Sequence, residues 1–204
     1  SYTQLKPVEP EALHLASFVT AGGVAIDAGA NAGLYSYGLA QFCKQVHSFE
    51  INPAHCRMLR DFAASNVEIH GVGLSNVAGE KNLFTPVHPR GMVLESWASL
   101  EPGNYLGARE YLKTRVSVMR LDEFEFPECV FLKVDVEGHE LQVLEGAEET
   151  LRRTRPRILI EVRDENLVAV DRFLQSLEFR RTDIRNFIGC AGARGNYFYM
   201  PFEV

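Results

Sequence analysis

Short apolar runs bounded by turn residues alternate with segments of helical period through most of the sequence, and this alternation restricts the chain to few folds. A strand that passes through a helix to the next strand returns to its sheet as a parallel neighbour, with the helix laid on one face. The chain therefore reads as α/β with a doubly wound sheet. Strands are expected at 24–27, 46–50, 67–72, 131–135 and 157–162, and helices at 34–42, from 53 onward, at 140–152 and at 165–176. Asn52 can cap the helix after the second strand, and Pro53 suits its first turn, where a missing N–H leaves nothing unsatisfied. In 140–152, Leu141, Val143, Leu144, Ala147 and Leu151 recur at helical spacing. The tail has two extended segments, 179–184 and 196–202, joined by the glycine-rich stretch 189–195. With no helix expected between them, they should pair antiparallel as a hairpin that closes the sheet.

The rhythm breaks between 85 and 114, a stretch rich in Pro, Gly and Tyr that carries the only tryptophan, Trp97. So long an irregular insertion in a regular fold is a lid or a disordered loop. The reading is one domain over 1–204 with a lid or substrate insertion at 85–114, in which Trp97, Tyr105 and Tyr111 offer apolar walls to a small organic acceptor. A chain of 204 residues with 46% hydrophobic content supports one substantial core.

Charge narrows the partners. The formal net charge of −6 argues against a surface built along phosphate backbones, so no nucleic acid is expected. The cluster Arg152, Arg153, Arg155 and Arg157 falls where a helix should end, and cations there complement the helix dipole. No apolar run is long enough to cross a bilayer and the N-terminus lacks a secretory pattern, so no membrane partner is expected and the cytoplasm is the default compartment. The chain starts at Ser1 without a methionine, which points to a segment removed upstream. Cys43, Cys56, Cys129 and Cys190 contain no C-x-x-C pair, and neither a zinc knuckle nor a disulfide framework is expected. The oligomeric state stays open.

The chemistry concentrates in Asp27-Ala28-Gly29-Ala30-Asn31-Ala32-Gly33, where the first strand turns into the first helix. Gly29 permits a tight turn and close approach of a ligand, Gly33 lets the helix pack near the sheet, and free N–H groups at the helix start would attract an anion. Glu50 ends the second strand a little over 20 residues later, where a carboxylate can accept from both ribose hydroxyls of an adenosine. A dinucleotide loop needs Gly-x-Gly-x-x-Gly; here Asn31 stands at the middle glycine and the last glycine comes one residue early, so a pyrophosphate fits poorly. Asp27 suits a ligand with an α-amino group, as in S-adenosylmethionine. Asp27, Gly29, Ala30, Asn31, Gly33, Glu50 and Asp135 are the expected cofactor residues.

The segment 131–147, FLKVDVEGHELQVLEGA, resembles the signature of FkbM-like methyltransferases, in which a strand ending in Asp-Val-Glu-Gly enters a helix that ends in Gly-Ala. With the glycine loop, Glu50 and Ile158-Leu159-Ile160-Glu161, the resemblance covers about 24–184. It implies a Rossmann-like class I methyltransferase sheet and transfer of a methyl group from S-adenosylmethionine, usually to a hydroxyl of a natural product, sugar or related small molecule. It does not name the acceptor.

Methyl transfer to an alcohol requires an acceptor oxygen held near the methyl group and a base for its proton. His139, the only histidine in the motif, is the expected base, with Glu137 as the alternative; the plainer reading seats His139 on the first turn of an exposed helix. Asp135, Glu137 and Glu161 at neighbouring strand ends could gather an oxygen-loving cation such as Mg2+. Their plainer roles are cofactor contact, turn geometry and a structural hydrogen bond, and no metal ligand set is assigned. The competing readings are a non-catalytic S-adenosylmethionine-binding module and a nucleotide-dependent oxidoreductase.

Overall fold

The computed structural model describes residues 9–62, 64–103, 105 and 107–202. Two short helices, α1 (Pro10–Leu13) and α2 (Leu15–Phe18), lead into β1 (Val24–Ala28), every residue of which is buried. Then follow α3 (Leu34–Leu39), β2 (Gln45–Phe49), α4 (Pro53–Phe62), β3 (Val67–His70) and the two-residue β4 (Gly73–Leu74). Asn52 caps α4, its Oδ1 accepting from the amide of Ala54 at 2.9 Å, as the sequence predicts. A long hairpin comes next, β5 (Gly79–Val87) and β6 (Glu110–Met119), and then β7 (Phe131–Val134), α5 (Glu140–Glu145), α6 (Glu148–Thr154), β8 (Arg157–Glu161) and α7 (Leu167–Ser176). The chain closes with β9 (Phe179–Thr182), α8 (Arg185–Ile188) and β10 (Asn196–Pro201).

Seven strands form the main sheet in the order β3-β2-β1-β7-β8-β10-β9. The first five run parallel, and β10 is antiparallel to both neighbours. The strand order reverses at β1: the chain moves outward through β2 and β3, then returns to the other side of β1 as β7. A crevice therefore opens beyond the carboxyl ends of β1 and β7, the switch point at which open α/β sheets take ligands. Alternation along the buried strands divides the core. Ile26, Leu132, Val134, Ile158 and Ile160 pack on one face with Val143, Leu144 and Leu174 from the helices. Ala25, Phe131, Leu159 and Phe198 pack on the other with Leu15, Phe18 and Leu39. Both faces are covered, so the doubly wound sheet expected from the sequence is present.

Three expectations need correction. The helix over 140–152 is two helices broken at Gly146-Ala147, because Gly146 runs against the backbone of Ser75, where a Cβ would lie 2.0 Å from the carbonyl oxygen. The second piece is capped from a distance, as Asp122 accepts from the amides of Glu149 and Thr150. The tail pairs antiparallel as expected, yet the one-turn α8 lies between its strands. The insertion is not irregular throughout: its flanks belong to β5 and β6, which pair from Gly79↔Val118 out to Val87↔Glu110 in a separate small sheet with β4. Arg152 and Arg153 do close a helix. All four cysteines are free thiols, and no helix among the described residues is long and apolar enough to cross a membrane.

Candidate functional site

Two clefts meet at the crevice, and Asp135 and Glu137 line both. The first, about 730 Å³ and open to solvent, is bounded by the β1–α3 turn, the end of β2, β4 and the loop between β5 and β6. The second, about 700 Å³, is bounded by the turn after β7, the end of β8 and the Arg194-Gly195 turn.

The β1–α3 turn is shaped by a close approach. Gly29 has φ +85°, and a Cβ there would lie 1.8 Å from the carbonyl oxygen of Asp135, so only glycine lets this turn cross the end of β7. The amides of Gly29 and Ala30 donate to the carbonyl of Phe49, and the amide of Asn31 donates to Glu50 Oε2 at 2.6 Å. These three donors of the turn are thus occupied by protein acceptors. Gly33, also at positive φ, caps α3. Ala30 and Gly33 support the turn without lining either cleft.

Glu50 is only 6% exposed yet lines the first cleft. Its Oε1 accepts from the amide of Asn52 at 2.7 Å while Oε2 accepts from Asn31. Burial raises its pKa and the backbone amides oppose that shift. The backbone of Ile51 also helps to hold the carboxylate, and His55 Nδ1 stands 4.0 Å from Oε2.

Asp27 sits elsewhere than expected. It is fully buried within the sheet, where Ser36 Oγ donates to it at 2.6 Å and Ser48 donates to Ser36 in turn. Burial pushes its pKa up to about 6, against the pull of Ser36 and Lys133. It lines neither cleft. Its register partner Lys133 is fully buried, with Nζ 3.6 Å from Asp135 and lying over the ring of Tyr35. Burial works against that ammonium, but the carboxylates of Asp135, Glu9, Glu161 and Asp27 outweigh it and hold its pKa above the usual lysine value.

After β7 the backbone turns through two positive φ values, Glu137 at 54° and Gly138 at 105°. The Glu137 carboxylate reaches 3.5 Å from Arg163, and its carbonyl accepts from Ser99 of the insertion. His139 is 2% exposed and both ring nitrogens are engaged: Nδ1 donates to Glu101 at 2.7 Å, and Nε2 lies 2.9 Å from Ser75 Oγ. The exposed-helix alternative therefore does not hold. Burial lowers the histidine pKa although Glu101 opposes that shift.

Sequence reasoning missed Glu140, the first residue of α5. It is 2% exposed and lines the second cleft. Its Oε1 accepts from the amide of Gly138 at 2.6 Å, whereas Oε2 is buried without a hydrogen-bond partner. Burial pushes its pKa up to about 7. The letter was in plain view within the motif, but burial and an orphaned oxygen leave no mark on sequence.

The insertion joins this machinery. Glu95, Ser96, Ser99 and Leu100 line the first cleft, and Asn52 Nδ2 donates to Glu95 at 2.6 Å. Trp97 and Tyr105 pack against each other, and the Tyr111 hydroxyl donates to the Tyr105 carbonyl; none of the three lines either cleft. Of the carboxylates expected to gather a cation, Asp135 and Glu161 converge with Glu9 rather than with Glu137. Glu9 already accepts from Tyr35 and Asn196, and Lys133 supplies positive charge beside Asp135.

A family model described as the methyltransferase FkbM domain matches residues 27–181. Methyltransferase FkbM from Methylobacillus flagellatus KT has a similar structure, with a TM-score of 0.57 and 17% identity over 88% of this chain and 43% of that one. The chain thus spans less than half the length of that relative. An rRNA methylase from Streptococcus thermophilus superposes with a TM-score of 0.55 at 15% identity, covering 99% and 100% of the two chains. A Streptococcus mutans protein solved in complex with SAH gives 0.54 at 13% identity over 93% of each. At such identities the likeness is one of fold. No curated protein matches the chain.

Proposed function

The chain belongs to the FkbM methyltransferase family, and from that premise we infer that it is an S-adenosylmethionine-dependent O-methyltransferase acting on a hydroxyl of a small molecule. The observation that carries this reading is Glu50: a buried carboxylate held by the backbone amides of Asn31 and Asn52 at the end of β2, and lining the first cleft, suits the paired hydroxyls of a ribose. The occupied amides of Gly29, Ala30 and Asn31 favour a cofactor without a pyrophosphate. The S. mutans protein with SAH supports the same choice. When bound, S-adenosylmethionine supplies a methyl group already activated as a sulfonium.

The protein then has two tasks, to hold the acceptor oxygen and to take its proton. The second cleft adjoins the first at Asp135 and Glu137 and is lined by six acidic residues and two arginines, a poor bed for a phosphate backbone and a fitting one for a polyhydroxylated or cationic molecule. Within it, Glu140 Oε2 takes the acceptor proton, since its pKa near 7 allows both protonation states at working pH. His139 serves here as a positioning residue that ties the insertion to the motif, because acting as base would first break one of its two contacts. Glu137, tied to Arg163 and Ser99, keeps the turn in shape. Lys133 supplies positive charge beside Asp135.

Calorimetric titration with S-adenosylmethionine and with NAD, followed by product detection over a panel of hydroxylated acceptors, tests the reading. Binding of the former alone, with a methylated acceptor formed, is the expected result. Tight NAD binding would overturn the cofactor assignment, and cofactor binding with no product from alcohols, amines or RNA would favour the non-catalytic module.

A further inference from the structure

A second cluster lies on the other wing of the sheet. The parallel register pairs His47 with Glu68 and Phe49 with His70, which puts all four side chains on one face of β2 and β3. His47 Nδ1 stands 3.0 Å from His70 Nε2. The Glu68 carboxylate closes the triangle, 3.5 Å from His47 Nδ1 and 3.8 Å from His70 Nε2. Donors around a tetrahedral ion at bond lengths of about 2.0–2.1 Å stand about 3.3 Å apart, and the two ring nitrogens and the Glu68 carboxylate, whose Oε2 faces His47 and Oε1 faces His70, lie close to that spacing. We propose that His47, Glu68 and His70 form a binding site for a zinc-like divalent transition metal, separate from the two clefts.

The rings are oriented by packing rather than by the ion. His47 lies 4.4 Å from Phe126 between ring centroids, and His70 stacks on Phe49 at 4.5 Å with 13° between planes, flanked by Phe124. The histidine side chains are 14% and 15% exposed while Glu68 is 58% exposed, so the carboxylate gives the ion a way in from solvent. Two imidazoles and one carboxylate form a donor set suited to borderline divalent ions, and a fourth position is left for water. None of the three residues lines either cleft. Because β3 is the edge strand, an ion here would staple it to β2. The competing arrangement is one N–H···N bond between the rings, with Glu68 merely nearby.

The test uses the purified chain, stripped with chelator and titrated with Co2+, then with Zn2+. One saturable equivalent should appear, with the visible d–d bands of tetrahedral cobalt, displacement by zinc and a rise in Tm. Glu68→Ala, a change at an exposed side chain, should keep the Tm measured in chelator and weaken cobalt binding roughly tenfold or more. His70→Ala should weaken it further, and His14→Ala, altering an exposed histidine far along the chain, should bind as the parent does. A parent chain without cobalt bands or a metal-dependent Tm, or a Glu68→Ala variant that binds as tightly as the parent, would overturn the site. If the histidine variants do not fold, Glu68→Ala decides alone.

Discussion

The two clefts that share Asp135 and Glu137 hold their buried carboxylates in opposite ways. In the first, both oxygens of Glu50 are fixed by backbone amides, which work against the rise that burial imposes on its pKa. In the second, Glu140 has one oxygen fixed and the other orphaned, and its charge is resisted until pH approaches 7. A satisfied carboxylate is a binding group, ready to accept hydrogen bonds. An under-satisfied one near neutrality is a proton acceptor in waiting.

The largest effect should come from the tip of the hairpin, which lines the first cleft and is tied to the turn after β7 through Ser99 and Glu101. Replacing 88–109 with a short turn between the paired ends Val87 and Glu110 removes Glu95, Ser96, Ser99 and Glu101 together. Methyl transfer should disappear, and cofactor affinity should fall roughly tenfold or more, because Asn52 loses Glu95 and the first cleft loses one wall. Calorimetry reads this directly. An insertion that covered only the acceptor would leave cofactor binding intact, and that result would separate the clefts more sharply than proposed here.

Next is Glu140→Gln, expected to lower kcat by roughly 10²–10⁴-fold with cofactor affinity nearly unchanged. The parent's kcat should rise with pH through about 7 as Glu140 loses its proton, and the variant should lose that limb. Stability supplies an independent reading. A carboxyl raised from its usual value to about 7 keeps a proton in the folded state that the unfolded chain releases, so its contribution falls as pH climbs from about 4.5 and the cost is complete above about 7. Glu140→Gln should therefore have a higher Tm than the parent at pH 8 and match it near pH 4. Equal Tm values at both pH values, with kcat intact, would remove Glu140 from the chemistry.

Glu50→Ala comes third. It loses charge-assisted hydrogen bonds worth roughly 1.5–3 kcal/mol each, so cofactor affinity should fall at least about tenfold. Because Glu50 also braces Asn31 and Asn52, Glu50→Gln separates the roles: one amide oxygen can still accept, and the variant should retain the fold while binding more weakly. A Glu50→Gln variant that binds as the parent does would place the ribose elsewhere.

This contrast also explains what the sequence disclosed. The β1–α3 turn and the place of Glu50 at the end of β2 were legible because both are set by backbone geometry, and backbone geometry follows from strand ends, glycines and spacing. The parallel sheet was legible for the same reason, and the family model covers much the same span as the motif reading. Asp27 was misplaced because its partners, Ser36 and Lys133, lie on other elements and only the packed sheet brings them to it. The apolar spacing of 140–152 runs on past Gly146, and only the packed fold brings the backbone of Ser75 against that glycine and breaks the helix. The hairpin was hidden because Pro86 and the polar residues of β5 and β6 weaken alternation, and β6 is largely exposed.

The smallest effect, and the one that decides what His139 does, should come from Glu101→Ala. Glu101 is partly exposed and accepts from His139 Nδ1, fixing the ring with Nε2 toward Ser75. If His139 is a tie between the insertion and the turn after β7, losing Glu101 loosens that tie: KM for the cofactor should rise a few-fold, kcat should change little, and the pH profile should keep its shape. If His139 were the base, Glu101 would be the group that orients it and supports its positive charge, and the same change would lower kcat steeply and shift the limb of the profile assigned here to Glu140. Glu101→Gln refines the outcome, since a neutral amide oxygen can still accept from Nδ1–H and should restore a tie but not the support of a charge. Full recovery in Glu101→Gln, with an unshifted profile, leaves proton transfer to the carboxylate one residue further along the helix.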